Sequence, residues 1–304
     1  MSETFADLNI RYVGNKEKTV NLVRRAIKMG YSAVAINIDV GMFFCPDQKD
    51  SNLEPPAKKA KKKNSRHPTE EEILPEPFVV DEKLLDLTNL DRQGIKFRQY
   101  SRLTCDLTES TSVFRLQNNP KVAKFDIVAV RPQSLDILTT IGKKGTCVDI
   151  ITCDHSEGKA QWLGKSKALQ AVAYDGGLTF EIIYSSALRN REARQNLITN
   201  SRLLFNVFNR GKNVILSSGA EEISELRGPY DTINITCLFG VEARFARKFV
   251  TDNTKLILQR SASRATIKCS ILEVPLTKGN QKFGDVICLD KLSAIPFFDE
   301  QISK

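Results

Sequence analysis

The stretch Gly211 to Asp231, GKNVILSSGAEEISELRGPYD, joins a β-branched apolar run, a polar crest and a helix start without interruption. Asn213 to Leu216 has the composition of a parallel strand covered on both faces, and Ser217, Ser218 and Gly219 end it. Pro229 after Gly228 suits the first turn of a helix, where a missing N–H costs nothing. Units of this kind recur along the chain. A strand that is apolar on both faces needs a cover, and a helix after each strand supplies it, so the repetition points to an α/β fold of mostly parallel strands.

Taken in order, strands are expected at Phe5 to Ile10, Ser32 to Ile38, Phe97 to Leu107, Asp126 to Val130, Val148 to Thr152 and Leu178 to Tyr184, ahead of the strand at Asn213. Helices are expected at Thr19 to Met29, closed by Gly30, and at Leu84 to Leu90, Ser112 to Gln117, Leu135 to Ile141 and Ser166 to Tyr174. The longest helix runs from about Asn190 to Arg210, with Ala193, Leu197, Leu204, Val207 and Phe208 on one stripe. Val241 to Val250 reads as a helix and Leu256 to Leu258 as a last strand. Seven or eight strands, nearly all followed by a helix, are the pattern of a closed TIM-like (β/α) barrel, with an open doubly wound sheet as the alternative.

The barrel is expected over residues 1–258. Residues 45–77 interrupt it with six of the eleven prolines and blocks of Lys and Glu, the composition of a disordered insertion. Within it, Lys58, Lys59, Lys61, Lys62 and Lys63 have the form of a nuclear-import signal. Residues 270–304 lack periodicity and read as a tail or partly ordered arm. The amino terminus MSETFADLNI lacks the features of a signal peptide, no long apolar run is present, and seven scattered cysteines do not form a disulfide framework, so an intracellular protein with reduced thiols is expected.

The net charge of +9 has a location. The insertion holds seven basic and seven acidic residues, whereas Ser185 to Lys268 holds fourteen basic and seven acidic ones. An excess on the folded surface points to a polyanion partner, with Arg191, Arg194, Arg202, Arg227, Arg244, Arg247 and Lys248 as the candidate contacts. Arg227 beside the helix start at Pro229 suits an anion in particular. Aromatic stacking platforms are not evident, because most phenylalanines fall on apolar stripes.

Catalytic groups are sparse. Of two histidines, His67 lies in the insertion and His155 follows a strand, where a solvated loop position is expected. Without a second strand-end histidine or a CxxC pair, no zinc site is expected. Ser217 and Ser218 have no histidine placed to activate them, and neither G-x-x-x-x-G-K-[ST] nor G-x-G-x-x-G occurs, so no cofactor is expected. Glu181, in the apolar strand TFEIIYS, reads either as a catalytic remnant or as a buried carboxylate bonded to backbone or to an arginine, and Asp7 invites the same two readings.

FADLNI, GYSAVAIN, GLTFEIIYS, GKNVILSSGA and RGPYD, in this order, resemble the thirty-kilodalton-class protein subunit of eukaryotic and archaeal ribonuclease P, shared with ribonuclease MRP. That family is similar in fold to the PHP-type metal phosphoesterases, distorted TIM barrels that open with D-L-H-x-H. The matching positions here read Asp7-Leu8-Asn9-Ile10-Arg11, and a later T-D-H-like triplet reads Asn37-Ile38-Asp39. Ser217, Ser218 and Gly219 stand where later ligands would be, and only Glu181 matches an enzyme ligand. The resemblance implies a barrel without its hydrolytic site. It also implies an RNA partner that does the cleavage, precursor tRNA met indirectly, a small ferredoxin-like subunit bound to the barrel, and residence in the nucleus and nucleolus. A PHP-type phosphoesterase with an atypical site remains an alternative, as does a protein-only interaction barrel docking through Pro296, Phe297 and Phe298.

Overall fold

The computed structural model describes residues 4–43, 74–156, 158–160, 162–208 and 211–264. Strands β1 (Phe5–Arg11), β2 (Tyr31–Met42), β3 (Arg98–Leu107), β4 (Ile127–Pro132), β5 (Ile150–Ile151), β6 (Thr179–Ile183) and β7 (Val214–Ser217) form one parallel sheet in sequence order. The α-helices among the described residues are α1 (Lys16–Met29), α2 (Thr88–Arg92), α3 (Ser110–Asn118), α4 (Leu135–Lys144), α5 (Ser166–Tyr174), α6 (Ser185–Arg189), α7 (Arg191–Val207), α8 (Pro229–Ile235), α9 (Ala243–Ala246) and α10 (Asp252–Arg264). None is long and apolar enough to cross a membrane.

The sheet curls until its edges meet. Gly219 donates its N–H to Asn9 O at 2.9 Å, and Arg11 donates to Ala220 O at 3.0 Å, which closes the barrel at the carboxyl ends of the strands. Near the amino ends, Ala6 donates instead to Val250 O at 2.9 Å. This is the TIM-like barrel expected from the alternation, with seven strands among the described residues. An open sheet would have left edge N–H and C=O groups without partners.

Side chains alternate through the wall except in β1, where a register shift between Asp7 and Ile10 lets both Leu8 and Asn9 face the interior. Ala6, Leu8, Ala33, Ala35, Tyr100, Ile127, Ala129, Ile150 and Ile215 form an inner cluster, while their neighbours Val34, Leu103, Val128, Ile151, Phe180 and Leu216 belong to the outer layer under the helices. The inner cluster also takes Ile257 and Leu258 from α10. Leu256 to Leu258 is therefore not a strand. Thr254, Ile257, Leu258 and Ser261 are buried at helical spacing, a period that a three-residue apolar run cannot display. α10 lies across the amino-terminal mouth: Asn253 Nδ2 donates to Val214 O at 2.6 Å, Arg260 Nε to Val148 O at 3.1 Å, and Arg264 Nη2 to Asp126 O at 2.7 Å. These carbonyls lie at or just before strand starts and would otherwise be left without donors.

Smaller differences follow the same logic. Val241 to Val250 splits into α9 and a 3-10 turn at Arg247–Phe249, and the helix expected at Leu84 to Leu90 divides into a 3-10 turn at Glu82–Leu84 and α2. α1 ends as expected at Gly30, with φ at 100°. On α7, Leu197 and Leu204 are buried as the stripe required, together with Asn200 and Ser201. Leu74, within the stretch expected to be a disordered insertion, is buried in the outer core, and its carbonyl accepts Lys121 Nζ at 3.1 Å. Lys58, Lys59, Lys61, Lys62, Lys63 and residues 270–304 lie outside the described residues.

Gly219 tests the closure. Its φ is +63°, and a Cβ there would stand 2.3 Å from Ile183 Cγ2. Gly240, at φ +84°, has nothing within 4 Å. Gly219→Ala should lower stability by about 2–4 kcal/mol, from backbone strain plus overpacking. Gly240→Ala should cost only the backbone part, about 1 kcal/mol. Equal midpoints for the two variants in urea unfolding would contradict this account of the seam.

Candidate functional site: the carboxyl-terminal mouth

In barrels of this kind the carboxyl ends of the strands carry the chemistry. Here that level is built by inward positions of five strands. Arg102 of β3 stands at the register of Asn37 on β2, and Glu181 of β6 at that of Ile215 on β7. Arg102 and Glu181 meet across the interior in a bidentate pair: Nη1 to Oε1 and Nη2 to Oε2, both at 2.6 Å, with both side chains fully buried. Arg102 Nη1 also donates to Leu8 O at 2.8 Å and Nε to Thr104 Oγ1 at 3.2 Å. Glu181 Oε1 further accepts Ser217 Oγ at 2.5 Å and Asn9 Nδ2 at 3.3 Å. Asn37 Nδ2 donates to Asn9 Oδ1 at 2.8 Å, and Thr104 Oγ1 donates to Asn37 Oδ1 at 2.7 Å.

Burial alone pushes the Glu181 carboxyl up, but the Arg102 charge and the hydrogen bonds from Arg102 and Ser217 outweigh it and hold the group below the ordinary carboxylate range. Glu181 is thus the arginine-bonded carboxylate. Asp7 is also buried; its Oδ1 accepts the N–H groups of Asn9 and Ser218 at 3.1 and 3.2 Å, and burial raises its pKa. Ser218 Oγ donates to Asn9 O at 3.1 Å. The polar crest after β7 therefore holds the seam together.

His155 is not the solvated loop residue expected from its position. It is 2% exposed, its Nε2 donates to Glu181 O at 3.1 Å, and burial lowers its pKa, which favours the neutral ring. Asn200 of α7 donates to His155 O at 2.9 Å and pins the loop over the ring.

Above the buried layer, the rim is a chain of ion pairs. Arg131 grips Asp39 through Nη1 and Nη2 at 2.8 and 2.6 Å and also bonds Asp106. Arg11 reaches Asp39 at 3.4 Å and Glu221 at 2.8 Å, and Arg189 pairs with Glu225. Burial raises the Asp39 pKa, yet the contacts from Arg131 and Arg11 leave it lowered.

The donor set does not suit a divalent metal cluster. At the matching positions Glu181 has both oxygens on a guanidinium, Asp39 is gripped by Arg131 and Asp7 accepts backbone N–H groups; the neighbours are amides and hydroxyls, and among the described residues no group of three His, Cys, Asp or Glu side chains could hold a metal ion. Arg102 supplies the positive charge that a cation would bring. It went unnoticed in the sequence, although an arginine at an inward position of a buried strand requires a partner.

Of the seven basic candidates, Arg227 is half-buried and the other six are exposed. Arg194 Nε bonds Ala187 O at 3.0 Å near the start of α7, where Arg191 is exposed. Arg202 donates to Leu238 O at 3.1 Å. Arg227 Nη1 folds back onto Ser224 O at 2.7 Å, while its peptide is gripped by the hydroxyls of Tyr184 and Tyr31 at 3.1 and 3.0 Å. Arg244 pairs with Glu242 at 2.7 Å, Arg247 lies 6.0 Å from the Tyr230 ring, and Lys248 lies 5.5 Å from the Phe245 ring.

Arg102→Met should cost about 3–5 kcal/mol, because it strands a buried carboxylate, and Arg102→Met/Glu181→Leu should recover part of that loss. The sign with pH follows from the lowered pKa of Glu181. Its stabilisation is present above the unfolded carboxyl pKa and is lost as pH falls through the folded value. Urea unfolding at neutral and acid pH should thus show a smaller acid loss in the double variant than in the wild type. A double variant as unstable as the single one would contradict the account.

Comparison with known proteins agrees with this architecture. Residues 4–266 match the family profile described as RNase P subunit p30. The mouse ribonuclease P protein subunit p30 is 30% identical over 264 residues, covering 86% of this chain and 87% of that protein. The probable ribonuclease P protein subunit 3 of Schizosaccharomyces pombe is 28% identical over 275 residues, covering 88% and 98%. Protein GAMETOPHYTE DEFECTIVE 1 of Arabidopsis thaliana is 33% identical over 189 residues, 62% of this chain and 32% of that protein, so the match spans about a third of that relative's length. Among solved structures, a chain from a cryo-EM structure of archaeal ribonuclease P with mature tRNA superposes with a TM-score of 0.56 at 11% identity, covering 90% of this chain and all of that one, which is a likeness of fold. The chain belongs to the ribonuclease P subunit p30 family.

Proposed function

We propose that the chain is a non-catalytic, RNA-binding subunit of nuclear ribonuclease P and of ribonuclease MRP. In that role it supports 5′-leader removal from precursor tRNA and the processing of ribosomal RNA. The observation that carries the non-catalytic part is the mouth: the level at which a barrel enzyme presents its groups is filled by Arg102, Glu181 and their partners, and the rim above it is cross-linked by ion pairs. The same geometry counts against the phosphoesterase alternative. The RNA-binding part is supported by the family, by the net charge of +9 and by its concentration in the second half of the fold. The partners are the ribonuclease P or MRP RNA, precursor tRNA met through the assembled particle, and other protein subunits including the small ferredoxin-like one. Residence in the nucleus and nucleolus completes the proposal, with Lys58 to Lys63 as the import segment.

Pull-down of the tagged full chain from nuclear extract should recover a structured RNA and precursor-tRNA cleavage, with RNA retention falling steeply as salt rises. Recovery of no RNA at low salt would sink the proposal. A second arm addresses catalysis: particles assembled with Glu181→Gln at permissive temperature should cleave at a rate within about twofold of the wild type per particle. A loss of a hundredfold or more in intact particles would place chemistry in the barrel.

A further inference from the structure

The two mouths of the barrel treat their cations differently. At the carboxyl-terminal rim, Arg11, Arg131 and Arg189 are all paired with carboxylates. Helices of a barrel run back against the strands, so the carboxyl ends of α3, α4 and α5 and the start of β7 gather at the opposite mouth. There Lys143, Lys144 and Lys212 are exposed and have no carboxylate partner among the described residues. Two of them lie beside exposed aromatic rings. Lys144 Nζ is 5.2 Å from the ring of Phe114, which is 42% exposed, and Lys212 Nζ is 5.3 Å from the ring of Tyr174, which is 46% exposed.

These pairs are set side by side by the wall itself. α3 packs on α4 and α4 on α5. Gly142 and Gly176 allow a close approach: a Cβ on Gly176 would stand 2.8 Å from Gly142 O. A cleft of about 280 Å³ opens at the ends of α4 and α5, lined by Lys143 and Asp175, the chain neighbours of Lys144 and Tyr174. Arg260 and Arg264 also line it and are held in place by donating to Gly176 O and Asp126 O.

We propose that this amino-terminal face is where the barrel holds RNA, and specifically an unpaired segment. Phe114 and Tyr174 would take bases or sugars on their rings, while Lys143, Lys144 and Lys212 meet the flanking phosphates. An exposed ring with an unpaired ammonium beside it suits a partner that is flat and anionic at once, and unstacked nucleotides have both properties. A folded duplex offers phosphates but no free base faces. The inference rests on the RNA-binding reading above and adds the surface and the kind of RNA.

Binding of a fluorescein-labelled oligouridylate to the full chain, followed by anisotropy at low and physiological salt, tests it. Lys144→Glu/Lys212→Glu should weaken binding by about tenfold or more and lower the salt slope by about 1.4, the value for two lost phosphate contacts on a single strand. Phe114→Ala/Tyr174→Ala should weaken binding by about tenfold with an unchanged salt slope, since stacking releases no counterions. Lys159 is exposed at the opposite mouth, beside Asp106 and Arg131, and Lys159→Glu should change affinity by less than about twofold. All four side chains of the two double variants are exposed, and unaltered thermal melts would confirm folding. If Lys159→Glu weakens binding while both double variants bind as the wild type does, the surface is wrong. If the wild type captures structured RNA from extract but ignores the oligouridylate, the surface proposal falls and the function stands; if it captures neither, both fall.

Discussion

A buried ion pair organises the interior. Taking a carboxylate and a guanidinium out of water costs several kcal/mol per ion even after relaxation, so such a pair persists only where geometry and further hydrogen bonds compensate. Arg102 and Glu181 meet that condition through two parallel bonds at 2.6 Å and through Leu8 O, Thr104, Ser217 and Asn9. The network joins β1, β2, β3, β6 and β7, and its members have little freedom to turn elsewhere. Groups that converge at this level in a barrel enzyme would face substrate; here they face one another. A guanidinium in the cation's place converts a site suited to chemistry into a brace across the barrel.

The two ends of the barrel are sealed by different physics. At the amino-terminal end the seal is mostly apolar, with Ile257 and Leu258 entering the small-residue interior left by Ala6, Ala33, Ala35 and Ala129, and with Asn253, Arg260 and Arg264 satisfying carbonyls near strand starts. At the carboxyl-terminal end the seal is electrostatic and borders solvent, so each ion pair there contributes modestly and the bidentate contact of Arg131 with Asp39 is the strongest of them. The difference matters for partners. Arg11, Arg131 and Arg189 at that rim are already paired and offer a polyanion little, whereas Lys144 and Lys212, held beside aromatic rings with no carboxylate partner among the described residues, offer both charge and contact surface.

Much of the fold was legible because a covered parallel strand shows as a mostly unbroken apolar run, as at Ser32 to Ile38 and Leu178 to Tyr184. Misreadings occurred where the window was too short or the cause lay far along the chain. Leu256 to Leu258 looks like a strand in isolation, and only its spacing with Thr254 and Ser261 reveals a helix. His155 occupies a loop, and nothing local announces that Asn200, in a helix further along the chain, covers it. Glu181 announced its need for a partner, but not that the partner was Arg102. The basic candidates of the second half of the chain follow from a charge excess visible in the sequence, whereas Lys144 and Lys212 become neighbours of exposed rings only through helix packing.

The amino-acid sequence by itself determined the alternation of strand and helix, the family pattern of five ordered segments, and the replacement of enzyme ligands by Asn9, Asn37, Ser217 and Ser218. Each is a local property, set by hydrophobic period or residue identity. Closure of the sheet through Gly219 and Asn9, the pairing of Arg102 with Glu181 and the difference between the two mouths were decided by tertiary structure alone. They depend on residues tens to hundreds of positions apart, which only the curvature of the closed sheet brings within hydrogen-bonding distance.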